Sequence, residues 1–197
     1  MIAAIVLAAG LARRMGGVQK LLLPLEGRPV VRWSVEGVLA HARDVVLVTG
    51  RDDAGVRAAL AGLPVRFVVN PRPEDGQGAS IAAGAQALPA TASAALVALG
   101  DQPRLPAEVI PALLAARART GKAIVAPVYR GTRGTPVLFA AEVFVELAAL
   151  AGDAGARSVV DARPERVATV DIDAPMPADV DTPEDLARLA GGRRRPE

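Results

Sequence analysis

The sequence predicts an α/β domain built on one mostly parallel, Rossmann-like sheet flanked by helices. Along the whole chain, short apolar runs bounded by Gly, Pro, Asn or Asp alternate with segments of helical period, which is the pattern of βαβ units. The 197 residues suit one domain of ordinary size, and a hydrophobic content of 51% is ample for a core. Aromatic residues make up only 3% and Ala and Val stand in their place, so helices must pack closely on the sheet to fill the interior. No internal repeat, low-complexity linker or shift in composition divides the chain. A single domain is therefore expected over residues 1–190, with 191–197 as a disordered tail.

The apolar run at 2–7 is the first expected strand. After a Gly-rich loop, residues 21–25 read as a short extended piece. Pro29 opens a helix to about residue 40, because its fixed φ suits the first helical turn. The Val-rich run 45–49 is a strand, 54–61 a helix and 65–69 a strand. The turn residues of 71–77 precede a helix over 78–88, and 94–99 is a strand. Pro106 opens a helix to about 119, followed by a strand at 123–127 and a glycine-rich turn over 129–134 before the extended run 136–139. Helices at 142–149 and 156–163, a strand at 167–172 and a helix at 183–189 with Thr182 as its N-cap complete the pattern. In an open parallel sheet, ligands bind at the carboxyl ends of the strands near a switch point. The loops after 2–7, 65–69 and 94–99 all emerge there.

Composition removes several classes of function. A net charge of +2, without interleaved basic and aromatic residues, argues against nucleic acid as a partner. The absence of Cys and the single His, His41, exclude disulfides, thiolate chemistry and a His-based metal cage, so any metal must be held by oxygen. The apolar start lacks a basic leader region and reads as a core strand. No apolar run reaches the ~18 residues of a membrane span, so the expected compartment is the cytoplasm.

Chemistry concentrates in the first loop. Leu7-Ala8-Ala9-Gly10 ends a strand in small residues, which lets backbone N–H groups approach an anion closely, and Arg13, Arg14 and Lys20 follow. This is a phosphate cradle in composition, but neither a Walker A loop nor a Gly-x-Gly-x-x-Gly turn. A second motif, Ala98-Leu99-Gly100-Asp101-Gln102-Pro103, places a carboxylate at the mouth of the sheet, where it could hold Mg²⁺ by oxygen or simply cap a turn.

The run from Leu7 to Gly16, with Lys20 beyond it, resembles the signature of the MobA-like nucleotidyltransferases of molybdenum cofactor biosynthesis. Within them it looks most like the molybdenum cofactor cytidylyltransferases, since guanylyltransferases more often carry Leu-Ala-Gly-Gly. Gly100-Asp101-Gln102-Pro103 is similar to the family's Gly-Asp-Met/Gln-Pro, whose Asp is a magnesium ligand, and that role is carried to Asp101. Asn70, Gly76 and Ser80 match a segment that helps bind the nucleotide, although the same residues also suit an N-capped helix after a turn. The segment from Val128 to Val137 resembles the family's Gly-His-Pro-Val, with Thr135 in place of the His. Gly152 to Arg157 resembles its Gly-Asp-x-Gly-Ala-Arg. Asp179 to Asp185 matches Asp-Ile-Asp-Thr-Pro-Glu-Asp, in which Thr182 and Asp185 suit a helix cap, while Asp179 or Asp181 could reach the metal.

The resemblance implies transfer of CMP from CTP to the phosphate of molybdenum-bearing molybdopterin, with pyrophosphate leaving. Arg14, Lys20 and Asp101 would be catalytic. Leu7, Ala8, Ala9, Gly10, Arg14, Lys20, Asn70, Gly76 and Ser80 would bind nucleotide, and Asp101 with Asp181 would hold Mg²⁺. A molybdenum hydroxylase is the implied recipient. Guanylyl or other nucleotidyl transfer, an NAD(P)-dependent redox enzyme and a cofactor-delivery protein stay open as alternatives on the same fold.

Overall fold

The computed structural model describes residues 1–10 and 19–191. Its strands and helices follow in the order β1 (Ile2–Ala8), β2 (Pro24–Leu25), β3 (Arg28–Pro29), α1 (Val30–Leu39), β4 (Asp44–Thr49), α2 (Ala54–Ala59), β5 (Val65–Val69), α3 (Gln77–Gln86), β6 (Ala94–Leu99) and α4 (Val109–Thr120). The second part continues with β7 (Ile124–Tyr129), β8 (Thr132–Arg133), β9 (Val137–Ala140), α5 (Phe144–Ala148), α6 (Arg157–Ala162), β10 (Val167–Ile172) and α7 (Pro183–Gly191).

Among the described residues the main sheet has the order β10-β7-β9-β6-β1-β4-β5. Its pairs are parallel except at β9, which runs antiparallel to both β6 and β7, and at β8, which pairs antiparallel with β7 off this order, so the sheet is mixed. β1 lies between two parallel neighbours and is apolar on both faces, as a doubly covered strand must be. Ala4, Val6 and Ala8 join the core formed with Val31, Val35 and Val38 of α1 and Ile110, Leu113 and Ala116 of α4. The alternate residue Ile5 faces Ile81 and Ala85 of α3, Leu147 of α5 and Val159 and Val160 of α6. Small residues permit the close approach: a Cβ at Gly84 of α3 would lie 2.4 Å from Ile5 Cγ2.

The expected α/β architecture is present, and the differences are local. Residues 21–25 do not form one extended piece. A 3₁₀ turn, Lys20–Leu22, drops Leu21 into the core, and β2 and β3 form a small hairpin. The helix expected from Pro106 begins at Val109, because the Pro106 carbonyl closes a turn onto the Val109 N–H instead. The turn after β7 is a tight hairpin onto β8, with Arg130 and Gly131 both at positive φ, the two-residue geometry that matches strand twist. α7 extends to Gly191, and residues 192–197 of the expected tail lie outside the described residues.

Candidate functional site

The chain runs from β1 to β4 and β5 on one side and then crosses back to β6 on the other, so the switch point lies at the carboxyl end of β1. Register brings Ala8 beside Thr49 and Leu7 beside Leu99 there. Gly100 turns the chain immediately after β6. Its N–H bonds the Leu7 carbonyl at 2.9 Å, and its own carbonyl accepts from the buried Ser34 hydroxyl of α1, also at 2.9 Å. A Cβ at Gly100 would meet that Leu7 oxygen at 2.9 Å. Asp101 is thereby placed on a turn tied to both β1 and α1.

Lys20 faces the same point, since its neighbour Leu21 is buried in the core. Its Nζ donates to Asp101 Oδ2 at 2.6 Å and to Asp181 Oδ1 at 2.7 Å. The side chain is only 17% exposed, so its charge is partly desolvated and the pair of carboxylates offsets that cost. Burial opposes the ammonium, but Asp101 and then Asp181 outweigh it, and its pKa lies above the usual lysine value.

Asp181 arrives on a strap between β10 and α7. Val180 is fully buried with Leu25 and Val30, and its N–H bonds the Asp101 carbonyl at 3.0 Å. The two flanking carboxylates therefore reach the region of Asp101. Asp179 Oδ1 accepts from Gln102 Nε2 at 2.8 Å. Burial pushes the Asp179 carboxyl up and Asp101 and Asp181 add to the effect, against the Gln102 amide and Lys20, which oppose it. The cap expected at α7 is formed: Asp185 N–H donates to Thr182 Oγ1 at 3.2 Å and Asp185 Oδ2 accepts from the Thr182 N–H at 2.8 Å.

Two lobes of one cleft open at this edge. A lobe of about 540 Å³ is lined by Ala8, Ala9, Gly10, Lys20 and the 49–53 turn, and one of about 460 Å³ by Leu7 to Gly10, Lys20, Gly76, Ser80, Asp101 and Asp179. The structure thus brings together Leu7, Ala8, Ala9, Gly10, Lys20, Gly76, Ser80 and Asp101, with Asp181 joined through Lys20. Arg14 lies outside the described residues. Asn70 does not line either lobe: it is 3% exposed, its amide donates to Ser80 Oγ at 3.0 Å, and its Oδ1 accepts from the Arg72 N–H at 2.9 Å.

Sequence reading gave no site role to Thr49, which ends β4, to Asp52 and Asp53 just beyond it at the same edge, or to Gln77 in the second lobe, while Asp153 of the Gly152–Arg157 motif also lines that lobe. The carboxyl-end rule, applied to β4, was the available signal for the first group. A further cavity of about 180 Å³ adjoins the second lobe through Leu7, Gln77 and Leu99. Its walls include Ile81, Val97, Val137 and Val160, with Arg133, Thr135 and Arg157 also lining it.

The donor set suits a hard divalent cation, because it offers only carboxylates. Among the described residues no group of three or more His, Cys, Asp or Glu is arranged to hold a metal by itself. A cation such as Mg²⁺ needs no such cage, as it takes one or two carboxylates together with substrate phosphates and water. Asp101 and Asp181, which both accept from the Lys20 ammonium, are carboxylates of that kind at the cleft. No helix among the described residues is long and apolar enough to cross a membrane.

Comparison with known proteins agrees with this geometry. A family described as the MobA-like NTP transferase domain matches residues 4–167. A curated relative, nicotine blue oxidoreductase of Paenarthrobacter nicotinovorans, is 35% identical over 195 residues, with 94% of each chain covered. The bifunctional protein GlmU of Syntrophotalea carbinolica is 36% identical over 125 residues, which span 62% of this chain but only 27% of that protein. Among solved structures, Rv0371c of Mycobacterium tuberculosis H37Rv superposes with a TM-score of 0.86 at 30% identity, covering 96% of each chain. A structure of that protein with manganese has a TM-score of 0.81 at 28% identity, covering 96% of this chain and 97% of the other.

Proposed function

The chain belongs to the MobA-like NTP transferases, and we propose that it transfers CMP from CTP to the phosphate of a molybdopterin-type acceptor, releasing pyrophosphate. The observation that carries this reading is the ammonium of Lys20 held between Asp101 and Asp181 at the carboxyl edge of β1 and β6. Nucleotidyl transfer needs positioning and charge neutralisation more than covalent help. An oxygen of the acceptor phosphate forms the new bond to the α-phosphorus in line, and the bond from that phosphorus to the β-bridging oxygen breaks, its electron pair leaving with pyrophosphate. The backbone of Ala8, Ala9 and Gly10 lines the phosphate path, and Lys20 and Arg14 neutralise the β- and γ-phosphates. A divalent cation held by Asp101 and Asp181, in keeping with the manganese complex of Rv0371c, would supply further neutralisation of the phosphates.

One observation favours a second reading. The relative aligned over 94% of the chain is named as an oxidoreductase, so a redox enzyme holding a nicotinamide dinucleotide in the same cleft is the alternative. Both readings are tested by measuring pyrophosphate release with molybdenum-bearing molybdopterin and Mg²⁺ or Mn²⁺, in parallel with CTP, GTP and ATP. Release with CTP alone supports the proposal, and release with GTP or ATP instead corrects the base. Nucleotide binding without release from any of the three overturns it in favour of the redox or delivery reading, and NADH or NADPH oxidation then separates those two.

A further inference from the structure

Gln102 follows Asp101 but its side chain serves a different contact. It is 8% exposed, and its two ends bond residues that line two different cavities. Nε2 donates to Asp179 Oδ1 at 2.8 Å, on the side of the nucleotide cleft, while Oε1 accepts from Thr135 Oγ1 at 2.6 Å, at the 180 Å³ cavity. An ionised carboxylate only accepts, so the amide NH₂ must face Asp179. The amide oxygen is left for Thr135, and the hydroxyl must donate. Behind it, the Tyr129 hydroxyl donates to the Thr135 carbonyl at 2.7 Å. The donors of the Tyr129, Thr135 and Gln102 side chains are thus passed in one direction, ending on Asp179.

The chain ends where small movements count. Asp179 and Asp181 flank the buried Val180, whose N–H is bonded to Asp101, so a change at Asp179 is passed to the carboxylate that holds Lys20. A buried polar chain is stiff when every member is satisfied and costly when one is not. Thr135 stands where the motif resemblance has His, and its hydroxyl is turned into this chain instead of standing free in the cavity.

We propose that Gln102 is a positioning residue that couples the two cavities, so that the hydroxyl of Thr135 sets how firmly Asp179 is held in the nucleotide cleft. This rests on the nucleotidyl-transfer reading above. The test measures binding of Mn²⁺ with CTP, and separately with GTP and ATP, from the signal of free Mn²⁺ in electron paramagnetic resonance, alongside melting temperatures. Thr135→Val removes the hydroxyl and nearly keeps the shape, and Gln102→Met removes every bond of that amide, including the one its Nε2 donates to the Pro177 carbonyl at 3.5 Å. Each is expected to weaken binding of the Mn²⁺–nucleotide pair about tenfold, the scale of one lost buried hydrogen bond. Thr135→Ser restores binding, and the double variant is no weaker than either single one, because the residues act as one chain.

Unchanged binding in Thr135→Val, or failure of Thr135→Ser to restore it, overturns the coupling. A fall in melting temperature without a change in binding assigns the chain a purely structural role and also overturns it. If Thr135→Val does not fold, Thr135→Ala decides in its place. Wild-type protein that binds none of the three nucleotides with Mn²⁺ overturns the nucleotidyl-transfer reading itself, an outcome distinct from wild-type binding that the variants leave unchanged.

Discussion

Lys20 is the counter-ion of two carboxylates and, in the proposed reaction, a contact to the phosphates, so its removal has two opposite effects. Lys20→Ala should lower the rate of pyrophosphate release about a hundredfold, the loss of one preorganised stabilising donor being worth about 3 kcal/mol. The same variant should bind Mn²⁺ alone more tightly than the wild type, since the tethered ammonium no longer competes for Asp101 and Asp181. A Mn²⁺ titration without nucleotide checks this, and weaker metal binding would remove those carboxylates from the metal site. At this scale the sequence was informative wherever the neighbours of a residue are close in the chain. Lys20 and Asp101 stand in compact motifs and were legible. Asp181 was ambiguous because the adjacent acidic residues suit a helix cap; in the structure Asp185 takes the cap and Asp181 meets Lys20. Gln102 was illegible, as its partners lie 33 and 77 positions away. Asn70, read as a nucleotide contact, has its side chain engaged locally by its own turn and Ser80.

Among the secondary elements, α7 depends on its cap and carries Asp181 just ahead of its first turn. Thr182→Ala should cost about 1 kcal/mol, a usual value for a lost N-cap, and appear as a lower melting temperature accompanied by weaker nucleotide binding. Gly76 opens α3 at φ +98°, and a Cβ there would lie 2.4 Å from Asp153 Oδ1 and 2.5 Å from the Gly152 carbonyl carbon. Gly76→Ala combines backbone strain with a clash and should cost more than about 1 kcal/mol, again read from thermal unfolding. α5 is joined to the turn just before β10 by Arg166, which donates to both Glu146 oxygens at 2.6 and 2.5 Å. The hydrogen bonds from Arg166 hold the Glu146 carboxyl below its ordinary pKa. The stability this adds is present above the ordinary carboxylate pKa and is lost as pH falls through the lowered value. Because Glu146 is 36% exposed, the gain is at most about 1 kcal/mol. Glu146→Gln should flatten the acid side of the melting-temperature profile, and a profile unchanged between pH 3 and 5 would contradict the link. Elements bounded by turn residues were legible to the residue, as at β5 and β6. The short pieces around β2 and β3 were not, because two-residue strands carry no period to read.

Over the whole molecule, the alternation of strand and helix made the fold class legible, while the place of β9 was not. Nothing local in Val137–Ala140 states that it enters between β7 and β6 in the opposite direction, since that choice is made by long-range pairing. Its insertion joins the half of the sheet that bears the cleft to the half that bears the smaller cavity. Many of the buried positions on both faces of this sheet are alanine: Ala3, Ala4, Ala94, Ala95, Ala98, Ala116, Ala123 and Ala126 are all buried, and Gly84 touches Ile5. Such a protein has an unusual mutational profile. In most cores the damaging changes delete volume, but a buried alanine has almost none to lose, so at these positions the damaging changes add it. Ala95→Leu or Gly84→Val should cost about 1–3 kcal/mol or more through overpacking. A saturation library sorted for folded protein should therefore show its sharpest depletion where small residues become large, along the central strands, and comparatively mild depletion where large residues at the helix margins become small.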